Sequence, residues 1–163
     1  MTESDGKKAE KKIREWLDKP EQGYSFDRIP DQTSGFYGSS NICDFTCFKS
    51  PYMFYIESKS TEHDRFDFSM LTQVQHDGLL AKSKIDKCFG LVTVLFLYYK
   101  RAFIIDIKDI EKAEDAGKKS MNIKRLEKSP VPYIEIPSIK SRKAFLDYDG
   151  DLLELLKLQQ KDK

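Results

Sequence analysis

The stretch NICDFTCFKSPYMFYIESKST, residues 41–61, is the most informative part of the chain for its architecture. Its first part, residues 42–48, and its second, residues 53–59, are strand-like, with Ser50 and Pro51 as the turn between them. Alternation along the first strand puts Cys43, Phe45 and Cys47 on one face and Asp44 and Thr46 on the other. In the second strand Met53, Tyr55, Glu57 and Lys59 share a face. Two adjacent antiparallel strands therefore each present a carboxylate, and a lysine sits two positions past the second. Carboxylates are hard oxygen ligands suited to Mg²⁺, an ion that keeps several waters and completes its shell with a phosphate. A lysine ammonium polarises a metal-bound water and holds the charge growing on a scissile phosphate. Phosphodiester hydrolysis is the chemistry such a set performs. The spacing D-x12-E-x-K also arises by chance in a chain with 34% charged residues, and an acidic Asp44 serves equally to blunt an edge strand.

Upstream, residues 6–17 place Ala9, Ile13, Trp16 and Leu17 at helical spacing, with Ser4 or Asp5 to cap the start. Glu10 lies three and seven residues before Ile13 and Leu17, on the side that faces the body of the protein, where an acidic side chain is unexpected. Residues 24–29 predict a short strand and 30–40 a loop. Downstream, residues 67–82 read as a helix with Phe68, Leu71, Val74 and Leu79 toward the core. Residues 89–99 form a strand buried on both faces, and 102–107 pairs with it. A short helix starts at Asp106 or Asp109 and ends before Gly117, residues 130–137 are extended, and 146–158 is a leucine-rich terminal helix interrupted near Asp149 and Gly150. The order α-β-β-β-α-β-β-α describes an α/β layer arrangement with a mixed central sheet. No repeat or linker divides the chain, so residues 1–163 are expected to be a single domain.

A length of 163 residues allows roughly two-thirds of the unfolded surface to be buried. With 39% hydrophobic and 12% aromatic residues the chain is neither disordered nor collagen-like. The longest apolar run, residues 89–99, is too short to cross a bilayer, and the polar start has no signal-peptide core, so a cytoplasmic protein is expected. Cys43, Cys47 and Cys88 lack zinc-site spacing and read as reduced, mostly buried thiols. A net charge of +1 gives no global sign of nucleic-acid binding, yet residues 118–143 hold eight basic residues against two acidic ones. A solvated loop explains that excess as simply as a polyanion does.

Around Asp44, Glu57 and Lys59, the segments NICDF (41–45) and FYIESKST (54–61) resemble the PD-(D/E)xK nuclease superfamily, with Ile42, Cys43 and Asp44 where that family has its P-D. Within it, four motifs in order look like the RecU-type Holliday junction resolvases: ESKST (57–61) for E-A-K-E-T, TQVQH (72–76) for H-Q-I-E-H, the buried strand GLVTVLFL (90–97), and KKSM (118–121) for R-K-S-I. The segment RIPDQTSG (28–35), followed by GSS (38–40), is similar to the R-x-P-x-S-G loop of archaeal junction resolvases. The chain departs from RecU-type proteins in lacking their long stalk between the first two strands, where only about a dozen residues stand. The resemblance therefore speaks for a nuclease more strongly than for a junction substrate.

The resemblance implies a restriction-endonuclease-like three-layer fold and a homodimeric, Mg²⁺-dependent endonuclease, with Mn²⁺ able to substitute, that cuts branched DNA at four-way junctions in recombination and repair. It makes Asp44 and Glu57 metal ligands with the Ser58 carbonyl, Lys59 the catalytic lysine, and Glu10 a carboxylate that helps the metal through water. Gln73 would orient Lys59 or the attacking water. Arg28, Ser34, Thr61, His76, Lys118 and Lys119 would contact DNA. For Gln73 and His76 the plain alternative is an exposed polar position on a helix, and His63 is loop surface. Tyr24, Phe36 and Tyr37 either stack on bases or pack locally. The surplus of leucines, Leu152, Leu153, Leu155, Leu156 and Leu158, covers the sheet or adds to a dimer interface. Two alternatives share the fold: a nuclease acting on linear duplex, and a DNA-binding module without activity.

Overall fold

The computed structural model describes residues 5–30, 41–139 and 147–161. Helix α1 (Asp5–Leu17) buries Ala9, Ile13, Trp16 and Leu17, the four positions its apolar spacing selects. Gly23, at φ +87, turns the chain into strand β1 (Ser25–Arg28). Strands β2 (Phe45–Lys49) and β3 (Tyr52–Thr61) follow as a hairpin around a cis Ser50–Pro51 peptide. Next come β4 (Arg65–Asp67), α2 (Gln73–Ser83), β5 (Cys88–Phe96), β6 (Arg101–Asp106) and α3 (Ile107–Asp115). The short strands β7 (Ser120–Asn122), β8 (Ile134–Glu135), β9 (Ser138–Ile139) and β10 (Asp147–Tyr148) lead to α4 (Leu152–Lys161).

The central sheet has the order β1-β2-β3-β5-β6-β8. Only β3 and β5 run parallel in it, with Glu57 beside Val92 and Thr61 beside Phe96, and α2 makes the crossover that parallel pairing requires. One side of the sheet is covered by α2 and α3 over Leu79, Val92, Val94, Phe103 and Ile105, and the other by α1 and α4 over Phe54, Leu91, Ile104 and Leu152. The result is the expected three-layer α/β arrangement with a mixed sheet. In β5 every residue from Gly90 to Phe96 is buried, because helices cover both of its faces.

Residues 67–82 do not form one helix. They divide into β4, a 3-10 turn over Phe68–Met70, and α2, which starts only at Gln73 behind the N-cap Thr72. Phe68 and Leu71 are buried as expected, but from the turn and the loop, and Val74 is exposed because five residues at about 100° each put it about 140° around α2 from the buried Leu79. Strand β2 likewise begins at Phe45, so Cys43 falls outside its alternation and packs on the α2 side, while Phe45 and Cys47 pack on the α1 side. Leu152 and Leu156 are buried, with Leu153 and Leu155 partly so, against the α1 side of the sheet. All three cysteines are free, and among the described residues no helix is long and apolar enough to cross a membrane.

Close packing between α2 and the segment before β2 depends on Gly78. A Cβ there would stand 2.2 Å from the Ile42 Cγ2, so only glycine lets α2 close over the chain two residues before Asp44.

Candidate active site

Asp44 directly precedes β2, and Glu57 and Lys59 lie on the β3 face that α2 covers. The Asp44 amide donates to the Ile56 carbonyl at 3.1 Å, and the Ser58 N–H donates to Asp44 Oδ2 at 2.9 Å. These two contacts hold the Asp44 carboxyl across the strand pair, within hydrogen-bond reach of the Glu57 carboxyl. Ser58 thus enters the site through its N–H. Lys59 Nζ stands 3.2 Å from Glu57 Oε2.

Glu57 is 3% exposed, and burial, then the charge of Asp44, pushes its carboxyl up to about 8 against the opposing pull of Lys59. A cation bound beside Glu57 would take the place of the proton that burial favours there. Burial likewise pushes the neighbouring Cys43 thiol up to about 12, so it stays a neutral packing group. Among the described residues no three of His, Cys, Asp or Glu converge on one point. The two carboxyls that meet here, Asp44 and Glu57, are hard oxygen donors of the kind Mg²⁺ accepts together with water and phosphate oxygens.

Gln75, not Gln73, is the glutamine that reaches this site. Its Nε2 donates to Glu57 Oε2 at 3.1 Å. The amide cannot turn over, because Gln75 is the third residue of a capping box. Its Oε1 accepts from the Thr72 N–H at 3.0 Å, while Thr72 Oγ1 accepts from the Gln75 N–H at 3.2 Å. Gln73 points elsewhere, its Nε2 donating to both Asp77 oxygens at 2.8 and 2.9 Å. The sequence signal that finds Gln75 is T-x-x-Q at 72–75, which is invisible once a helix is started at residue 67.

The other expected residues are spread around the same end of the sheet. Glu10 is half-buried on α1 and pairs with Arg28 of β1 at 3.4 Å, outside any cluster with Asp44 and Glu57. Arg28 lies opposite Phe45, and the next residue, Ile29, donates its N–H to the Asp44 carbonyl at 2.8 Å, so this ion pair braces the Asp44 segment from the α1 side. Thr61 is 6% exposed, and its hydroxyl donates to the Arg65 carbonyl and accepts from the His63 N–H. It shapes the turn after β3 and has no hydroxyl contact left for a phosphate. The His76 ring lies between Asp77 and Glu114, at 3.2 and 2.8 Å, and ties α2 to α3. Lys118 and Lys119 are exposed beside Phe68 and Ser69, just before the N-terminus of α2, with the Phe68 N–H donating to the Lys119 carbonyl. Ser34, Phe36 and Tyr37 lie outside the described residues. Tyr24 is buried, its hydroxyl donating to Asp151 and accepting from the Leu153 N–H, so it anchors α4 and is closed to bases.

Residues 19–148 match the family model described as recombination protein U. Among solved structures the chain is similar to that of Archaeoglobus fulgidus Hjc, a Holliday junction resolvase from an archaeal hyperthermophile. The identity is 14% and the TM-score 0.49, over 72% of this chain and 88% of that one. A search of curated proteins finds no match.

Proposed function

This chain belongs to the recombination protein U family of Holliday junction resolvases, and on that basis we propose that it is a Mg²⁺-dependent endonuclease that nicks four-way junctions symmetrically as a homodimer. The observation that carries the reading is the assembly of Asp44, Glu57 and Lys59 by one hairpin, with both carboxyls held in place by donors outside the set. When bound, Mg²⁺ supplies a polarised water and a Lewis acid at the scissile phosphate. Asp44 and Glu57 hold it, the Ser58 N–H fixes Asp44, and Gln75 fixes Glu57. Lys59, 18% exposed at its side chain, faces the entering phosphate and balances its growing charge. Lys118 and Lys119 carry the adjoining DNA backbone toward the N-terminus of α2. Pairing two such sites about a two-fold axis gives two nicks of like polarity, one from each subunit.

A nuclease for linear duplex is the second reading, favoured by the shortness of the connection between β1 and β2, residues 29–44. Cleavage of a four-way junction, a flap, linear duplex and single strands, with and without Mg²⁺, separates the two. Preference for the junction with paired nicks, by a protein that scatters light as a dimer, is the expected result. Equal cleavage of linear duplex by a monomer favours the second reading.

Glu57 makes the site pH-dependent, and the sign is definite. Its carboxyl binds a proton in the native protein up to about pH 8, against the ordinary 4.5 when unfolded. The stability this gives the metal-free protein is complete below the unfolded value and lost as pH rises toward about 8. Melting in EDTA should therefore show Glu57→Gln gaining on the native protein from about pH 5 to pH 9. Mg²⁺ displaces that proton, so Mg²⁺ affinity by calorimetry should rise up to about tenfold per pH unit and level off near 8. A flat profile across this range would show that Glu57 is already ionised.

Gln75→Leu should lower turnover about tenfold and raise the Mg²⁺ requirement, since it frees Glu57 of a hydrogen bond worth about 1 kcal/mol or more beside a charge. Gln73→Ala should leave both unchanged. Steady-state cleavage against Mg²⁺ concentration checks the pair, and the reverse order of effects would return the role to Gln73.

A further inference from the structure

Tyr98 is the most exposed large hydrophobic side chain among the described residues, at 80%. It sits in the turn of residues 97–100 between β5 and β6, and no function described above uses it. We propose that Tyr98 is a fixed stacking platform for a nucleobase that has left the duplex near the cut site. The inference rests on the nuclease reading and adds a contact that reads DNA structure to the contacts that hold its backbone.

Position is the first argument. Strands β3 and β5 are parallel and in register through Thr61 and Phe96, and the Leu97 N–H donates to the Thr61 carbonyl at 2.9 Å. The turn carrying Tyr98 therefore stands at the end of the sheet toward which β3 runs from Glu57. Thr61 lies four positions past Glu57, a rise of about 13 Å, which is roughly four base steps along a DNA strand. On the nuclease reading, a DNA strand that follows β3 away from Asp44 and Glu57 meets the turn.

Rigidity is the second argument. The Tyr99 hydroxyl donates to Asp64 Oδ1 at 2.6 Å, and Lys124 Nζ holds the other Asp64 oxygen at 3.1 Å. The Ile123 N–H donates to the Asp64 carbonyl at 2.8 Å, and the Tyr99 N–H donates to the Phe96 carbonyl at 3.1 Å. Lys100 closes the turn at φ +50, in the left-handed region. One tyrosine thus anchors the turn while its neighbour is presented to solvent, which keeps low the ordering cost of a stacked base.

Chemistry is the third. Lys100 is exposed two residues along the same turn, while Lys124 is paired with Asp64 beneath it, so Lys100 offers the charge of the turn to a phosphate backbone. The other exposed large apolar residues among the described ones, Phe48, Val74 and Ile85, belong to other elements, β2, α2 and the segment after it. A lone exposed ring suits a base, since every base offers a π-face, whereas a protein partner needs a contiguous apolar area.

The test compares the full chain with Tyr98→Ala and Tyr98→Phe, in EDTA so that nothing is cut. The probes are a four-way junction with 2-aminopurine at the branch, a linear duplex carrying one unpaired 2-aminopurine, and a fully paired duplex. Stacking is expected to quench the probe on binding of the native chain and of Tyr98→Phe, but not of Tyr98→Ala. Tyr98→Ala should bind the two DNAs with unpaired bases about tenfold more weakly and the paired duplex unchanged. Equal quenching and affinity for Tyr98→Ala overturns the proposal. So does an equal loss on paired duplex, a change of oligomeric state, or no quenching by the native chain. If the native chain fails to nick the junction in Mg²⁺ yet quenches the unpaired base through Tyr98, the junction reading falls and the platform stands.

Discussion

Asp44→Asn and Glu57→Gln are each expected to reduce junction cleavage by about 10³-fold or more while DNA affinity stays equal or rises. Either change removes one of the two carboxylates that meet at the proposed cation site. It also removes a negative charge that repels the phosphate, so turnover and binding move in opposite directions. Both variants should fold. In Asp44→Asn the remaining side-chain oxygen still accepts from the Ser58 N–H, and in Glu57→Gln the amide oxygen still accepts from Lys59 and Gln75. In each case the new amide N–H₂ can donate to the remaining carboxylate. Gel-based cleavage and fluorescence binding on the same preparations check the pair. Substantial turnover by either variant at saturating Mg²⁺ would remove these residues from the metal site.

Lys59→Ala should cost turnover about 10²–10³-fold with little loss of affinity, because its charge matters most as the phosphate approaches the transition state. Lys59 also holds the Glu57 carboxyl down, at 3.2 Å, so its loss raises Glu57 further and weakens Mg²⁺ at neutral pH. Measuring at about pH 9 with excess Mg²⁺ isolates the effect on the phosphate. Lys118→Ala with Lys119→Ala should do the opposite, weakening binding and lowering the slope of log affinity against log salt by about two, with turnover at saturating DNA kept. Loss of turnover alone in the double variant would place these lysines in the site and not along the DNA path.

Much of this was legible because strands repeat every two residues. Period two put Glu57 and Lys59 on one face, and the continuous apolar run of β5 announced a strand covered on both sides. Downstream the reading failed, since Phe68 and Leu71, which lie outside α2, were used to define its buried face. Placing the helix start at residue 67 hid the capping box at Thr72 and put Val74 in the core, while the family motif singled out Gln73 and the structure brings Gln75 to Glu57. The surroundings of Thr61 were also not legible. A threonine at the end of a strand looks available, yet its hydroxyl closes a local turn.

The α/β class with a mixed sheet, the β2–β3 hairpin, the buried strand and the spacing that brings Asp44, Glu57 and Lys59 together were readable from the chain, because they follow from local periodicity and from residue chemistry at fixed spacing. Folding in three dimensions was needed to decide which donors orient the carboxyls, that burial pushes the Glu57 carboxyl up, that Glu10 meets Arg28, and that Tyr98 lies at the end of the sheet toward which β3 runs. Those contacts join residues from different elements, through the parallel pairing of β3 with β5, the packing of α2 across Gly78, and the passage of α1 beside β1. A hydrogen bond across such a gap depends on tenths of an ångström in packing, and a proton affinity on the water that packing removes. Neither quantity is written in the order of residues along one strand.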